Sequence, residues 1–209
     1  MNVQSPAIFK VLVVCTGNIC RSPVAERLLH AQLEAAGIPA LIVSAGTQSM
    51  VGYGMTPEAA QLAQRYGAEQ SGHRSQQLTE QHIADSDLVL TATRDHRSAV
   101  VSLHPRASRY TYTLNQLARL LPAVLEPGAQ YQQLETDETR RPDTAETLRA
   151  LLAEVSTTRG YSPPPAHPDD DDIEDPYRQS VDVYARVGDV LNASVTTITS
   201  AFVAAVGRS

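Results

Sequence analysis

The stretch Phe9-Lys10-Val11-Leu12-Val13-Val14-Cys15-Thr16-Gly17-Asn18-Ile19-Cys20-Arg21-Ser22-Pro23 constrains this chain more than any other. Residues 9–14 are apolar, and often β-branched, at nearly every position, as in a strand buried on both faces. Cys15 leaves the end of that strand, Thr16 to Cys20 form a short loop, and Arg21 stands at the mouth of a helix opened by Ser22-Pro23. Proline costs nothing at an early helical position, where its missing N–H would have had no partner. Ala25, Leu28, Leu29, Leu33 and Ala36 then give a helical apolar stripe that Gly37 ends.

The same alternation continues. Leu41-Ile42-Val43 reads as a short buried strand, and Pro57 to Tyr66 as a helix closed by Gly67. Thr79 caps a short helix to Ala84, Asp87 to Thr91 is a third strand, Asp95 to Leu103 a helix, and Ser108 to Thr113 a fourth strand. Strands alternating with helices predict an α/β fold of three layers, a four-stranded parallel sheet with helices on both faces and the phosphate loop between the first strand and the first helix. After Leu121 the character changes: residues 122–172 are rich in Pro, Gln, Glu and Thr and read as a surface insertion with one helix from Thr144 to Val155. Val183, Val187, Val190, Val195, Ile198 and Phe202 then mark a long amphipathic helix packed on the sheet. The whole chain, 1–209, reads as a single domain.

A net charge of −6 and a pI near 5.5 argue against nucleic acid or an anionic membrane as partner. No stretch besides the first apolar run suggests a membrane span, and that run is too short for one, so a soluble protein is expected. Two cysteines five positions apart on one loop are no disulfide framework and suit a reducing cytoplasm. An acidic protein that handles phosphate must concentrate positive potential locally, and the loop is built for that. A thiolate is the nucleophile that attacks phosphorus, and a helix N-terminus with a guanidinium is the environment that favours it. Successive backbone N–H groups from Thr16, Gly17, Asn18, Ile19, Cys20 and Arg21 form an anion-binding nest to which the helix dipole adds. Arg21 offers a planar fork for two phosphate oxygens, and Gly17 permits a backbone conformation closed to other residues. No metal or cofactor is called for, since the clamp is organic and no compact His/Asp/Glu ligand set occurs. Ser22 reads as a helix cap that could also bond the thiolate.

At these residues the chain resembles the low-molecular-weight protein tyrosine phosphatase family, from Val11 to about Asp95 and again from Asp175 onward. The stretch from Tyr112 to Leu120 resembles a bacterial, actinobacterial-like branch. The resemblance implies that Cys15 attacks phosphorus while Arg21 and the loop amides hold the equatorial oxygens. It implies that Asp175, in Asp175-Pro176-Tyr177, protonates the leaving oxygen and then activates water to hydrolyse phosphocysteine. It further implies a supporting network of Asn18, Ser22, Ser44 and His73, and a disulfide between Cys20 and the nucleophile that guards against over-oxidation; from the residues alone, Cys20 reads equally as a small packed side chain. Met50, Tyr53 and Tyr177 fall where substrate walls are expected. Arg178 stands where an aromatic often follows, and Thr93 where an acidic residue is common. The implied partner is a phosphorylated protein, most simply at tyrosine; composition leaves the oligomeric state open.

Three other readings are available. A phosphoarginine phosphatase would be expected to carry threonine where Ile19 stands. A thioredoxin-coupled arsenate reductase needs a third cysteine between Thr91 and His104, and none is there. A non-catalytic phosphoprotein-binding module would have lost Cys15 or Asp175. Finally, Asp169 to Asp172 and Glu174 lie just ahead of Asp175. They read either as a solvated loop or as like charges acting on the acid and on substrate choice.

Overall fold

Phe9 to Cys15 is buried at every position but Lys10, because it becomes an inner strand of a sheet covered on both faces. The computed structural model describes residues 8–125 and 142–207. Strands β1 (Phe9–Cys15), β2 (Ala40–Gly46), β3 (Leu88–Thr91) and β4 (Thr111–Thr113) form one parallel sheet in the order β2-β1-β3-β4. The helices are α1 (Arg21–Ala35), α2 (Pro57–Arg65), α3 (Glu80–Ala84), α4 (Arg94–Leu103), α5 (Leu114–Leu125), α6 (Thr144–Thr158) and α7 (Val181–Val206). Side-chain alternation along β1 sends Phe9, Val11 and Val13 into a large core with α1, α2, α5, α6 and α7. Leu12 and Val14 face a smaller core with Ile83 of α3 and Val100 of α4. The expected three layers are therefore present. Cys15 pairs with Gly46, Val14 with Thr91, and Thr91 with Thr113, so the carboxyl ends of all four strands meet at one edge, where crevices form in such sheets.

Several local expectations change. Leu41 is half-exposed, because β2 is an edge strand with one face to solvent. The fourth strand keeps only three residues: Pro105–Arg109 coil into a 3-10 turn, and Tyr110 N–H bonds back to Ala107 O at 3.0 Å. Val190 is exposed on the outer face of α7.

The largest difference lies in the stretch 122–172, of which residues 126–141 are outside the described ones. Helix α5 runs on through Pro122 to Leu125. Helix α6 starts with a capping box, Asp143 to Glu146 N–H at 2.8 Å and Glu146 to Asp143 N–H at 2.9 Å. It buries Ala145, Leu148, Leu151, Leu152 and Val155 against α5 and α7. That face belongs to the main core, not to a surface excursion. Helix α7, 26 residues with a mean hydropathy of 1.4 in its most apolar window, is long and apolar enough to cross a membrane by length and composition, which the sequence reading did not register. Here it is a core helix: Val187, Leu191, Val195, Ile198 and Phe202 are buried, and Phe202 meets Phe9 edge-on at 5.8 Å.

Candidate active site

The loop between β1 and α1 has its carbonyls turned outward, each met by a donor. Thr47 N–H bonds Cys15 O at 2.9 Å, Gln48 N–H bonds Thr16 O at 3.0 Å, and Met50 N–H bonds Gly17 O at 3.1 Å. His73 Nε2–H donates to Asn18 O at 2.7 Å, Thr56 N–H to Ile19 O at 3.0 Å, and Val24 N–H to Cys20 O at 3.2 Å. None of the amides from Thr16 to Arg21 donates to another group among the described residues. With every carbonyl fixed to the scaffold, the N–H groups are left for the cleft, which is an anion nest at a helix N-terminus. The left-handed residue is Asn18, at φ 54°, and not Gly17, whose φ is ordinary. Asparagine tolerates that conformation better than other side chains. The glycine the loop requires is Gly46 across the sheet, where a Cβ would stand 2.4 Å from Thr16 O.

Behind the nucleophile the hydrogen bonds have one consistent direction. Asn18 Oδ1 accepts from Gln76 N–H at 2.9 Å, so its Nδ2 faces Ser22 Oγ at 2.9 Å and Ser44 Oγ at 2.8 Å. Ser44 Oγ–H donates to Glu26 Oε2 at 2.5 Å. Ser22 accepts from Asn18 and keeps its own proton for Cys15 Sγ, 3.0 Å away. The four support residues expected from sequence are thus brought together, and Glu26 and Gln76 complete them unforeseen. Ser22 does not cap the helix: α1 begins at Arg21, the cap position is Cys20, and the Ser22 hydroxyl is spent on Cys15.

Arg21 is 4% exposed in its side chain. Its Nη1 holds Ile173 O at 2.9 Å and its Nη2 holds Asp175 Oδ2 at 2.5 Å. Its Nε is buried without a partner among the described residues, a donor left for a ligand. Asp175 is half-exposed and also accepts from Tyr177 N–H at 3.2 Å. Cys15, Thr16, Gly17, Ile19, Cys20, Arg21, Gln48, Met50, Asp175 and Tyr177 line one cleft of about 170 Å³. Tyr53, expected on its wall, points to solvent at 63% exposure, and Gln48 lines the cleft instead. Arg178, at φ 62°, lays its guanidinium 5.1 Å from the Tyr177 ring centroid.

The acidic run ahead of Asp175 is neither a free solvated loop nor an unscreened field. Arg94 pairs with Asp169 at 2.7 Å and Asp172 at 2.9 Å, and Arg119 with buried Asp171 at 3.1 Å. Partial burial opposes ionisation of Asp172, but the bonds from Arg94 outweigh it and hold that carboxyl below its usual range. Asn115, whose Oδ1 accepts from Ser194 Oγ at 2.8 Å, donates its Nδ2 to Asp170 O at 2.9 Å, and Ile173 N–H bonds Ala92 O at 2.8 Å. These contacts strap the segment carrying Asp175 to the sheet edge.

Cys20 Sγ lies 3.5 Å from Tyr184 OH and 3.6 Å from Thr56 Oγ1, and burial pushes its thiol up. Both cysteines are free thiols. Sequence reading missed His96, which is buried with Nε2 at 2.9 Å from Thr16 Oγ1 and Nδ1 at 2.7 Å from Thr93 Oγ1. Burial first, and the Arg21 guanidinium second, bring it down to about 4. A histidine in the first turn of a helix that leaves the third strand at the ligand edge was the available signal.

Fold and site together define the class: cysteine-dependent phosphatases on a parallel α/β sheet. The chain belongs to the low molecular weight phosphotyrosine protein phosphatase family, whose model matches residues 10–132. A probable low molecular weight protein-tyrosine-phosphatase, EpsP of Ralstonia nicotianae, is 35% identical over 107 residues, covering 51% of this chain and 71% of that protein. The crystal structure of the tyrosine phosphatase AmsI of Erwinia amylovora superposes with a TM-score of 0.61 at 25% identity, covering 95% of each chain. The YwlE arginine phosphatase from Geobacillus stearothermophilus has a TM-score of 0.61 at 26% identity, covering 92% of this chain and 91% of that one. The family match ends before Asp175, so that residue's placement rests on its contact with Arg21.

Proposed function

We propose that this protein removes phosphate from phosphotyrosine in protein substrates in the cytoplasm, with Cys15 as nucleophile, Arg21 as clamp and Asp175 as general acid and base. The observation that carries the reading is the convergence of Cys15, Arg21 and Asp175 on one cleft floored by unpaired loop amides. The entering phosphate takes Arg21 Nη2 from Asp175 and adds the waiting Nε, which gives the planar fork its two bonds. Ser22 steadies the sulfur as it attacks phosphorus. The P–O bond to the substrate breaks, and Asp175, released and protonated, gives its proton to the departing phenolate oxygen. The resulting carboxylate takes a proton from water, which attacks the phosphocysteine, freeing phosphate and restoring the thiolate. Amides of the nest stabilise the charge that spreads over the equatorial oxygens in both steps. Met50, Ile19 and Tyr177 offer apolar walls suited to an aromatic ring, and Ile19, rather than threonine, supports phosphotyrosine over phosphoarginine. Two cysteines on one loop, rather than a disulfide framework, support a reducing compartment.

The test is turnover of p-nitrophenyl phosphate and of phosphotyrosine, phosphoserine and phosphoarginine peptides. Activity should be unchanged by EDTA, highest on phosphotyrosine, and lost by several orders of magnitude in Cys15→Ser, where a hydroxyl without a base replaces a thiolate. Arg21→Lys should also be severely impaired, since an ammonium cannot reproduce the fork. Metal-dependent turnover that survives Cys15→Ser would refute the mechanism, and faster phosphoarginine hydrolysis would refute the substrate.

A further inference from the structure

Thr93, His96 and Thr16 form a chain of hydrogen bonds that ends in the cleft, and its direction is set by the tautomer of His96. Thr93 Oγ1 caps α4, accepting His96 N–H at 3.3 Å. Its own proton has His96 Nδ1 at 2.7 Å, and no other side-chain or carbonyl acceptor bonds it among the described residues. Where Thr93 donates that proton, Nδ1 accepts, which places the ring proton on Nε2. Nε2–H then donates to Thr16 Oγ1 at 2.9 Å, and Arg21 Nη2–H donates to the same oxygen at 3.4 Å. In this tautomer both acceptor sites of the Thr16 hydroxyl are filled, and its one proton has no acceptor among the described residues. Thr16 lines the cleft beside Cys15 and Arg21.

We propose that His96 is a positioning residue, which through its Nε2–H turns the Thr16 hydroxyl proton toward the phosphoryl group in transfer. Resting on the phosphatase reading above, this adds one side-chain donor to the amides of the loop. The donor is fixed before substrate arrives, so it costs no reorganisation in the reaction. Because His96 is buried beside the Arg21 cation, the ring stays neutral and the chain keeps one direction through the neutral range. The chain also links the sheet edge at Thr93 to the clamp, since Thr16 Oγ1 touches both His96 and Arg21.

Two measurements test this. In the wild-type protein, long-range proton–nitrogen correlation spectra should show His96 Nε2 protonated and Nδ1 bare at pH 7; the opposite tautomer overturns the proposal and needs no variant to fold. In steady-state kinetics with p-nitrophenyl phosphate, Thr16→Val and His96→Leu should each lower kcat by about 100- to 1,000-fold, as loss of one such donor does, with KM little changed. His96→Gln, which keeps an N–H near the Nε2 position, should recover most of kcat, and the Thr16→Val/His96→Leu double variant should match Thr16→Val alone. Additive losses, or a KM effect with kcat intact, would mean that His96 only packs. Failure of the phosphatase reading itself would appear separately, as activity retained in Cys15→Ser, and the tautomer result would be unaffected.

Discussion

Replacing Leu148 with alanine separates a core helix from a surface excursion. Leu148 and Leu151 on α6 are fully buried against α5 and α7. The carbons lost in Leu148→Ala are worth about 2.4 kcal/mol at ~0.8 kcal/mol per buried methylene-sized group. A partly unrelaxed cavity raises the cost to about 3–4 kcal/mol, inside the usual range for Leu→Ala in a core. For a chain of this size that corresponds to roughly 6–16 °C in Tm, at about 2–4 °C per kcal/mol. The assay is urea and thermal unfolding followed by far-ultraviolet circular dichroism, with Thr157→Ala, exposed on the same helix, as control. The control should stay within about 0.5 kcal/mol of wild type, as surface substitutions do. Activity per folded molecule, measured well below the lowered Tm, should be retained, because α6 contributes nothing to the cleft lining. If Leu148→Ala and Leu151→Ala both behave like the control, the α6 face is not part of the cooperative core and the packing argument fails.

Other outcomes follow from the site. Gly46→Ala puts a Cβ against Thr16 O, so the loop must shift; kcat/KM should fall roughly 100-fold, as misplacement of about 1 Å does, and activity near wild type would show that the close approach is relaxed at little cost. Stability should decline as pH drops from about 6.5 toward about 4, because folded His96 resists the proton that the unfolded chain takes up. The loss is on the order of 3 kcal/mol, and unfolding of His96→Gln at pH 7 and 4.5 should show that part of the slope missing. Peroxide should convert the Cys15 thiolate to a sulfenic acid that Cys20 sulfur attacks with loss of water, giving a disulfide that reductant reopens. The buried, poorly ionised Cys20 should make that closure slow, and Cys20→Ser should leave inactivation that reductant cannot reverse; equal recovery in both proteins would remove Cys20 from the redox chemistry.

The sequence by itself determined whatever depends on near neighbours. A buried strand, a cysteine, a short loop, an arginine and a helix start all lie within residues 9–23, and their geometry follows from local chemistry. The cap at Thr79 and the stops at Gly37 and Gly67 are local in the same sense. Tertiary structure decided what depends on which distant segments meet. Glu26 and Gln76 complete the network behind Cys15 only because α1 and the segment after α2 converge on Asn18. Gly46 matters because β2 pairs with β1 in a register that sets it against Thr16. The acidic run is partly neutralised because α4 brings Arg94 and α5 brings Arg119 to it, whereas composition alone shows only charge. The apolar face of α6 could be seen as helical, yet not as core, since burial depends on the partner surface that α5 and α7 supply. His96 is the sharpest case: its spacing makes it an ordinary first-turn residue of a helix, and only the shared carboxyl edge of the parallel strands brings it to Thr16.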